Sequence, residues 1–208
     1  MKLKTYFALP ILFFSIALMA QQTTIGIKGG LGLSNNTEIN WDSKSRISPQ
    51  LGGVLKYDLE NVFGRTYLNY LQIELMYLGA GETNKDYKRY VNYINLPIMY
   101  QRYFSDSDRD FYLEVGPQFS YSIGSNLEDY NLNKPGRNNY QLRSDNQELN
   151  DFDVAINAGL GFAVNRQMDF NLRYSFGLMD SFNHVYEDNG HNRTSLLAFS
   201  FTYFFNKY

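Results

Sequence analysis

The sequence predicts an all-β fold: an eight-stranded antiparallel up-and-down transmembrane β-barrel. Long stretches alternate strictly between apolar and small or polar residues, the period of a strand with two unlike faces. These stretches exceed the ~5–6 residues of a usual globular strand and suit a tilted span of ~9–11 residues. The links between them fall into short and long sets, as in barrels with tight turns at one membrane face and loops at the other.

The clearest stretch is 151–165, DFDVAINAGLGFAVN. Phe152, Val154, Ile156, Ala158, Leu160, Phe162 and Val164 share one parity, and Asp153, Ala155, Asn157, Gly159, Gly161, Ala163 and Asn165 share the other. The second face is small and polar, rather than rich in Lys and Glu as a water-facing sheet surface usually is.

The chain has 208 residues, so a single domain is expected. Residues 1–20 read as a secretory signal peptide: Lys2 and Lys4, an apolar run over 6–19, then Leu18-Met19-Ala20 before polar Gln21-Gln22. A retained helix is the alternative, but the run is short for a ~20-residue span. The barrel domain is 21–208. With no cysteine, a disulfide framework and lipid attachment through cysteine are excluded. A net charge of −2 gives no basic patch for nucleic acid. The aromatic fraction of 17% suits interfacial aromatic girdles.

The elements follow in order. Over 23–34, Ile25, Ile27, Leu31 and Leu33 oppose Gly26, Lys28, Gly30 and Gly32. Over 47–59, Ile47, Leu51, Leu55, Tyr57 and Leu59 oppose Ser48, Gln50, Gly52, Lys56 and Asp58. Over 67–79, Leu71, Ile73, Leu75 and Tyr77 oppose Tyr70, Gln72, Glu74 and Met76. Over 90–104, Ile94, Leu96, Ile98 and Tyr100 oppose Tyr93, Asn95, Met99 and Gln101. Over 111–125, Phe111, Leu113, Val115, Phe119, Tyr121 and Ile123 oppose Glu114, Gly116, Gln118, Ser120 and Ser122. The 151–165 stretch is the sixth element. Over 169–179, Phe170, Leu172, Tyr174, Phe176 and Leu178 oppose Asn171, Arg173, Ser175 and Gly177. Over 195–205, Leu197, Phe199, Phe201, Tyr203 and Phe205 share one face.

Links near 60–65, 105–110 and 166–167 are tight, whereas 35–46, 80–88, 126–150 and 180–193 are longer and polar. Both termini then belong to the periplasmic side. The 126–150 link, rich in Asn, Asp, Arg and Gln around Pro135-Gly136, reads as a disordered surface loop, with a shaped binding site as the alternative. Lone Trp41 falls in the first long link.

Parity alone does not say which face meets lipid; a soluble lipocalin-like barrel turns its apolar face inward. The leader, the strand lengths with sorted links, and the Gly/Ser/Asn/Gln face favour the membrane. An interior of eight strands is just wide enough to be filled by side chains. The charges on that face are Lys28, Lys56, Glu74, Glu114, Asp153 and Arg173. Unpaired, they would be costly, so opposite signs should meet in a polar network that plugs the barrel. A selectivity ring in a narrow pore is the alternative. Pro97 and Pro117 each remove a ladder donor, which predicts a bulge at each. Arg102, on the apolar parity beside a tight turn, is placed to snorkel.

Several stretches resemble the porin-like outer-membrane β-barrel family of Bacteroidota, which includes PorT-like proteins. They are Tyr93-Ile94-Asn95-Leu96-Pro97-Ile98, Phe111-Tyr112-Leu113-Glu114-Val115-Gly116-Pro117 with Phe119-Ser120-Tyr121, Ala158-Gly159-Leu160-Gly161-Phe162, and Arg173-Tyr174-Ser175-Phe176-Gly177-Leu178. The resemblance implies an outer-membrane barrel, and PorT-like members are linked to protein secretion. Such barrels commonly end on an aromatic residue in register with the lipid face. Here Phe205 is in register and Tyr208 is off by one, so 206–208 are a short tail or a bulge restores the register.

The two histidines, His184 and His191, lie in the seventh link near Asp180, Ser181, Glu187 and Asp188. Their spacing matches no metal or nucleophile motif. Gly29-Gly30-Leu31-Gly32 lies inside a strand, where glycine relieves crowding, and is no phosphate loop. The expectation is a non-enzymatic barrel without catalytic residues, cofactor or metal, acting as an envelope, binding or secretion-accessory element. A narrow porin and an outer-rim hydrolase or lipid-modifying enzyme are the alternatives. Expected partners are outer-membrane lipid and lipopolysaccharide, the barrel-assembly machinery, and an extracellular ligand or secretion-system protein.

Overall fold

In a computed structural model, residues 23–37, 44–63, 68–83, 87–129, 151–179 and 193–208 are described. The alternating stretches form β1 (Thr23–Thr37), β2 (Lys44–Asp58), β3 (Asn69–Thr83), β4 (Tyr87–Tyr103), β5 (Asp110–Asp129), β6 (Phe152–Ala163), β7 (Met168–Gly177) and β8 (Arg193–Phe204). A short helix α1 (Glu60–Phe63) follows β2. Every neighbouring pair is antiparallel, and β1 pairs with β8 to close the barrel in sequence order. Closure removes the unpaired edges that an open sheet would present.

The strand starts and ends are longer than the hydrophobic period predicts at one end. β3 runs to Thr83 and β4 begins at Tyr87, so most of the expected 80–88 link is paired strand. β1 reaches Thr37, β2 begins at Lys44, and β5 reaches Asp129. The strict alternation of short and long links is therefore not observed, since the β2–β3 connection, 59–68, exceeds the β3–β4 connection, 84–86. The reason is physical: ladder hydrogen bonds need no apolar side chains, so polar residues such as Asn36, Lys88 and Glu128 continue pairing after the alternation fades. Below, "lower end" means the end with Thr23, Phe204 and the β2–β3, β4–β5 and β6–β7 connections; "upper end" means the other.

The bulges also differ from expectation. Between β4 and β5 the register shifts at Asn92/Tyr93, opposite Ser122 and Gly124, and is unchanged on both sides of Pro97 and Pro117. Between β2 and β3 it shifts between Ser45 and Gln50, a span that holds Pro49. Proline deletes a donor but inserts no residue, so the apolar alternation carries the register through Pro97 and Pro117.

The apolar parity faces outward. Leu31, Leu51, Leu75, Leu113, Ile156 and Phe199 are all exposed, and Arg102 is exposed among them. The opposite parity is buried, and it is less small and polar than expected. The lower interior is aromatic: Tyr70, Tyr103 and Tyr112 pack with Ala163, Leu68 and Tyr208. The upper interior holds an apolar cluster of Leu78, Ala80, Val91, Tyr93, Leu196 and Ala198. Charges and amides lie between.

Candidate functional site in the barrel interior

Alternation places Lys28 on β1, Glu74 on β3, Glu114 on β5 and Arg173 on β7, every second strand, all pointing inward and at most 7% exposed. Four charges meet across the lumen. Arg173 donates to Glu74 through Nη1 at 3.0 Å and Nη2 at 2.8 Å. It also donates to Glu114 through Nε at 2.7 Å and Nη2 at 3.0 Å. Lys28 Nζ donates to Glu74 Oε1 at 2.9 Å. Gln72, Gln101 and Asn171 add amide donors to the same carboxylates. Two cations balance two anions, and the fork of Arg173 suits two carboxylates at once.

The small face of β6 makes room for this. A Cβ at Gly159 would lie 2.9 Å from Glu114 Oε1 and 2.7 Å from the Leu172 carbonyl. A Cβ at Gly161 would run into the Tyr112 ring, which lies across that glycine.

Lys56 is buried but belongs to a second cluster at the lower end. Its ammonium donates to Asp169 Oδ2 at 2.9 Å and to the Tyr103 hydroxyl at 2.9 Å. It sits 3.6 Å from the Tyr208 ring centroid, a cation–π contact in a desolvated place. Tyr208 turns inward from a tail beyond β8: its hydroxyl donates to Asp169, and its backbone N–H donates to the Arg166 carbonyl at 3.1 Å. The off-parity end is thus a tail folded into the barrel, not a bulge.

Arg166, at φ 56, sits in the β6–β7 turn. Its guanidinium lies 4.3 Å from the Tyr103 ring and donates to the Ser105 and Ser107 carbonyls at 2.7 and 3.0 Å. These bonds tie the lower turns together and offset the left-handed backbone, which costs roughly 1–2 kcal/mol.

Asp153 does not join either cluster. It is 8% exposed near the upper end, and its Oδ1 has no partner among the described residues. Asp169, Tyr103, Tyr112, Phe204 and Tyr208 were not anticipated as interior groups. The inward parity of Gln101 and Glu114 extends directly to Tyr103 and Tyr112, so continuing the period to the strand ends would have found them. Among the described residues, no three His, Cys, Asp or Glu side chains converge as a metal cluster. His184, His191, Trp41, residues 1–20 and 130–150 lie outside the described residues.

A closed eight-stranded barrel with an apolar outer belt and a charge-paired interior is a membrane-spanning barrel. A family profile described as outer membrane protein beta-barrel domain matches residues 19–183, and the chain belongs to that family. It is therefore an outer-membrane protein. Among solved structures, the outer membrane enzyme PagL is similar at 11% identity and a TM-score of 0.50, covering 86% of this chain and 98% of that one. Neisserial surface protein A (NspA) is similar at 10% identity and a TM-score of 0.49, covering 89% and 97%. OprG from Pseudomonas aeruginosa is similar at 16% identity and a TM-score of 0.44, covering 89% and 96%. At 11% identity the likeness to PagL is one of fold. No curated protein sequence matches the chain.

Proposed function

We propose that this chain is a non-conducting, non-enzymatic outer-membrane barrel that acts through its upper end as an envelope, binding or secretion-accessory element. One observation carries the reading: Arg173, Lys28, Glu74 and Glu114 join β1, β3, β5 and β7 through ion pairs across the lumen. Side chains locked in mutual charge pairs leave water and solutes no ready path through so narrow a barrel. The aromatic layer around Lys56 and Tyr208 adds a second closure below it.

In this reading the lower end, with both termini, faces the periplasm after export directed by residues 1–20. The apolar belt meets outer-membrane lipid and lipopolysaccharide, and the barrel-assembly machinery inserts the chain. A place among the PorT-like barrels of Bacteroidota, and a partner in secretion, rest on the sequence resemblance. The upper ends of β4 and β5 extend well past those of β6 and β7, giving an uneven rim suited to contact outside the cell.

The test exchanges one end at a time. Cells carrying the unaltered barrel should gain detergent resistance or surface binding over cells without it, and cells in which 130–150 is replaced by a Gly/Ser linker should lose that gain. Cells carrying a lumen variant without charge (Lys28→Met, Glu74→Gln, Glu114→Gln, Arg173→Met) should keep it. The opposite pattern would place function in the lumen. Purified protein with His184 and His191 both changed to Ala, matched against the unaltered protein in lipid and peptide hydrolysis assays, separates out the enzyme reading: an activity present before and lost after would establish it.

A further inference from the structure

Asp153 is a carboxylate buried in the upper lumen, and no cation among the described residues pairs with it. Backbone amides of Val154 and Met179 face it, yet Oδ1 has no partner among the described residues. Its row is rich in oxygen. The ladder registers set Asn95 on β4 opposite Ser120 on β5, and Ser120 opposite Asp153 on β6. All three side chains point inward and are buried, and Asn95 Oδ1 also has no partner among the described residues. Ser122 lies two residues above Ser120 on the same face. From below, Asn157 donates to Gln118 at 3.1 Å and Gln118 donates to Ser120 Oγ at 3.2 Å. That chain of amides fixes the Ser120 oxygen and leaves Asn157 Oδ1 unpartnered as well. The upper interior also holds the apolar cluster of Leu78, Val91 and Leu196, on β3, β4 and β8, which supplies no counter-charge.

Asp153 Oδ1 and Asn95 Oδ1, buried acceptors on the two sides of Ser120 with no partner among the described residues, call for a donor or a cation. Adjacent strands lie about 4.8 Å apart, so Asn95 and Asp153 flank Ser120 across roughly 10 Å. Two short side chains reaching inward, with a cation bound at about 2.4 Å from each oxygen, close that span. Carboxylate, amide carbonyl and hydroxyl oxygens are the donors a hard cation takes, and calcium tolerates an irregular set better than magnesium does.

We propose that the upper lumen is a calcium site formed by Asp153, Asn95 Oδ1 and Ser120 Oγ and completed by water. A single carboxylate sets the affinity in the weak range of extracellular sites, with a dissociation constant of about 0.1–1 mM. Bound calcium ties β4, β5 and β6 together under the uneven rim, so it steadies the end proposed to act outside the cell.

The full barrel, refolded in detergent and stripped with chelator, is titrated with calcium chloride by calorimetry, and its heat-modifiable migration confirms that each variant is folded. Saturable binding of one ion is expected, with magnesium weaker and sodium without effect. Asp153→Asn should abolish it and Asn95→Ala weaken it about tenfold, whereas Asp151→Asn, an exposed neighbour, should bind as before. Asp153→Asn should also raise the unfolding temperature in chelator, because a buried bare charge is gone, and should cancel any rise on adding calcium. No saturable binding up to about 10 mM, undiminished binding in Asp153→Asn, or full competition by sodium would each overturn the site.

Discussion

Arg173→Met isolates the cost of the interior charges. The guanidinium makes four hydrogen bonds, two to each of Glu74 and Glu114. Without it, two buried carboxylates share one Lys28 ammonium, which touches only Glu74. Breaking a buried pair by removing one partner destabilises by about 3–5 kcal/mol, because a charge is left without compensation. Arg173 serves two carboxylates, so the upper half of that range applies. The assay is urea unfolding of the barrel in vesicles, followed by heat-modifiable migration. The neutral version of the whole cluster (Lys28→Met, Glu74→Gln, Glu114→Gln, Arg173→Met) should lose less than Arg173→Met alone, since no bare charge remains. Lys207→Ala serves as the control: its contact with Asp108 is exposed at 58% and 66%. A loss below about 1 kcal/mol for Arg173→Met, the scale of surface pairs, would refute the reasoning.

Two further substitutions probe the faces. Leu113→Arg puts a charge on the outward face at the level of Glu114, where Leu113 is 54% exposed. In vesicles it should cost about 2–4 kcal/mol, read by the same urea unfolding; no cost would mean that this face meets water. Gly161→Val should drive the Tyr112 ring from its place over β6. Refolding yield should fall sharply, measured as the heat-modifiable fraction, whereas Gly53→Val, with open space at its Cβ, should refold as the parent does.

The sequence made the faces of this barrel legible, and it made heights and partners much less so. Alternation in β6 separates Phe152, Ile156 and Leu160 from Asp153, Asn157 and Gly161, and burial follows that division. Lys28, Glu74, Glu114 and Arg173 could be named from parity alone, because a two-residue period assigns an inward face without any partner strand. Parity does not give level. Asp153 shares the inward face of those residues but lies beside Asn95 and Ser120, apart from Arg173, and only the ladder register reveals it. Asp169 shares the parity of Asn171 and Arg173, so carrying that period one step further, to the first residue of the stretch, names it as inward. The inward Tyr103, Tyr112 and Phe204 were hidden by the expectation of a polar interior. Tyr208 lies beyond the last paired residue, so no period reaches it. The prolines misled because a missing donor is local while register belongs to the whole strand.

Planar-bilayer recording of the purified barrel decides whether the lumen is closed. The unaltered protein should show no steady conductance at neutral pH, because the lumen is spanned by its own ion pairs. Stable single-channel steps that scale with salt and recur in every insertion would contradict it.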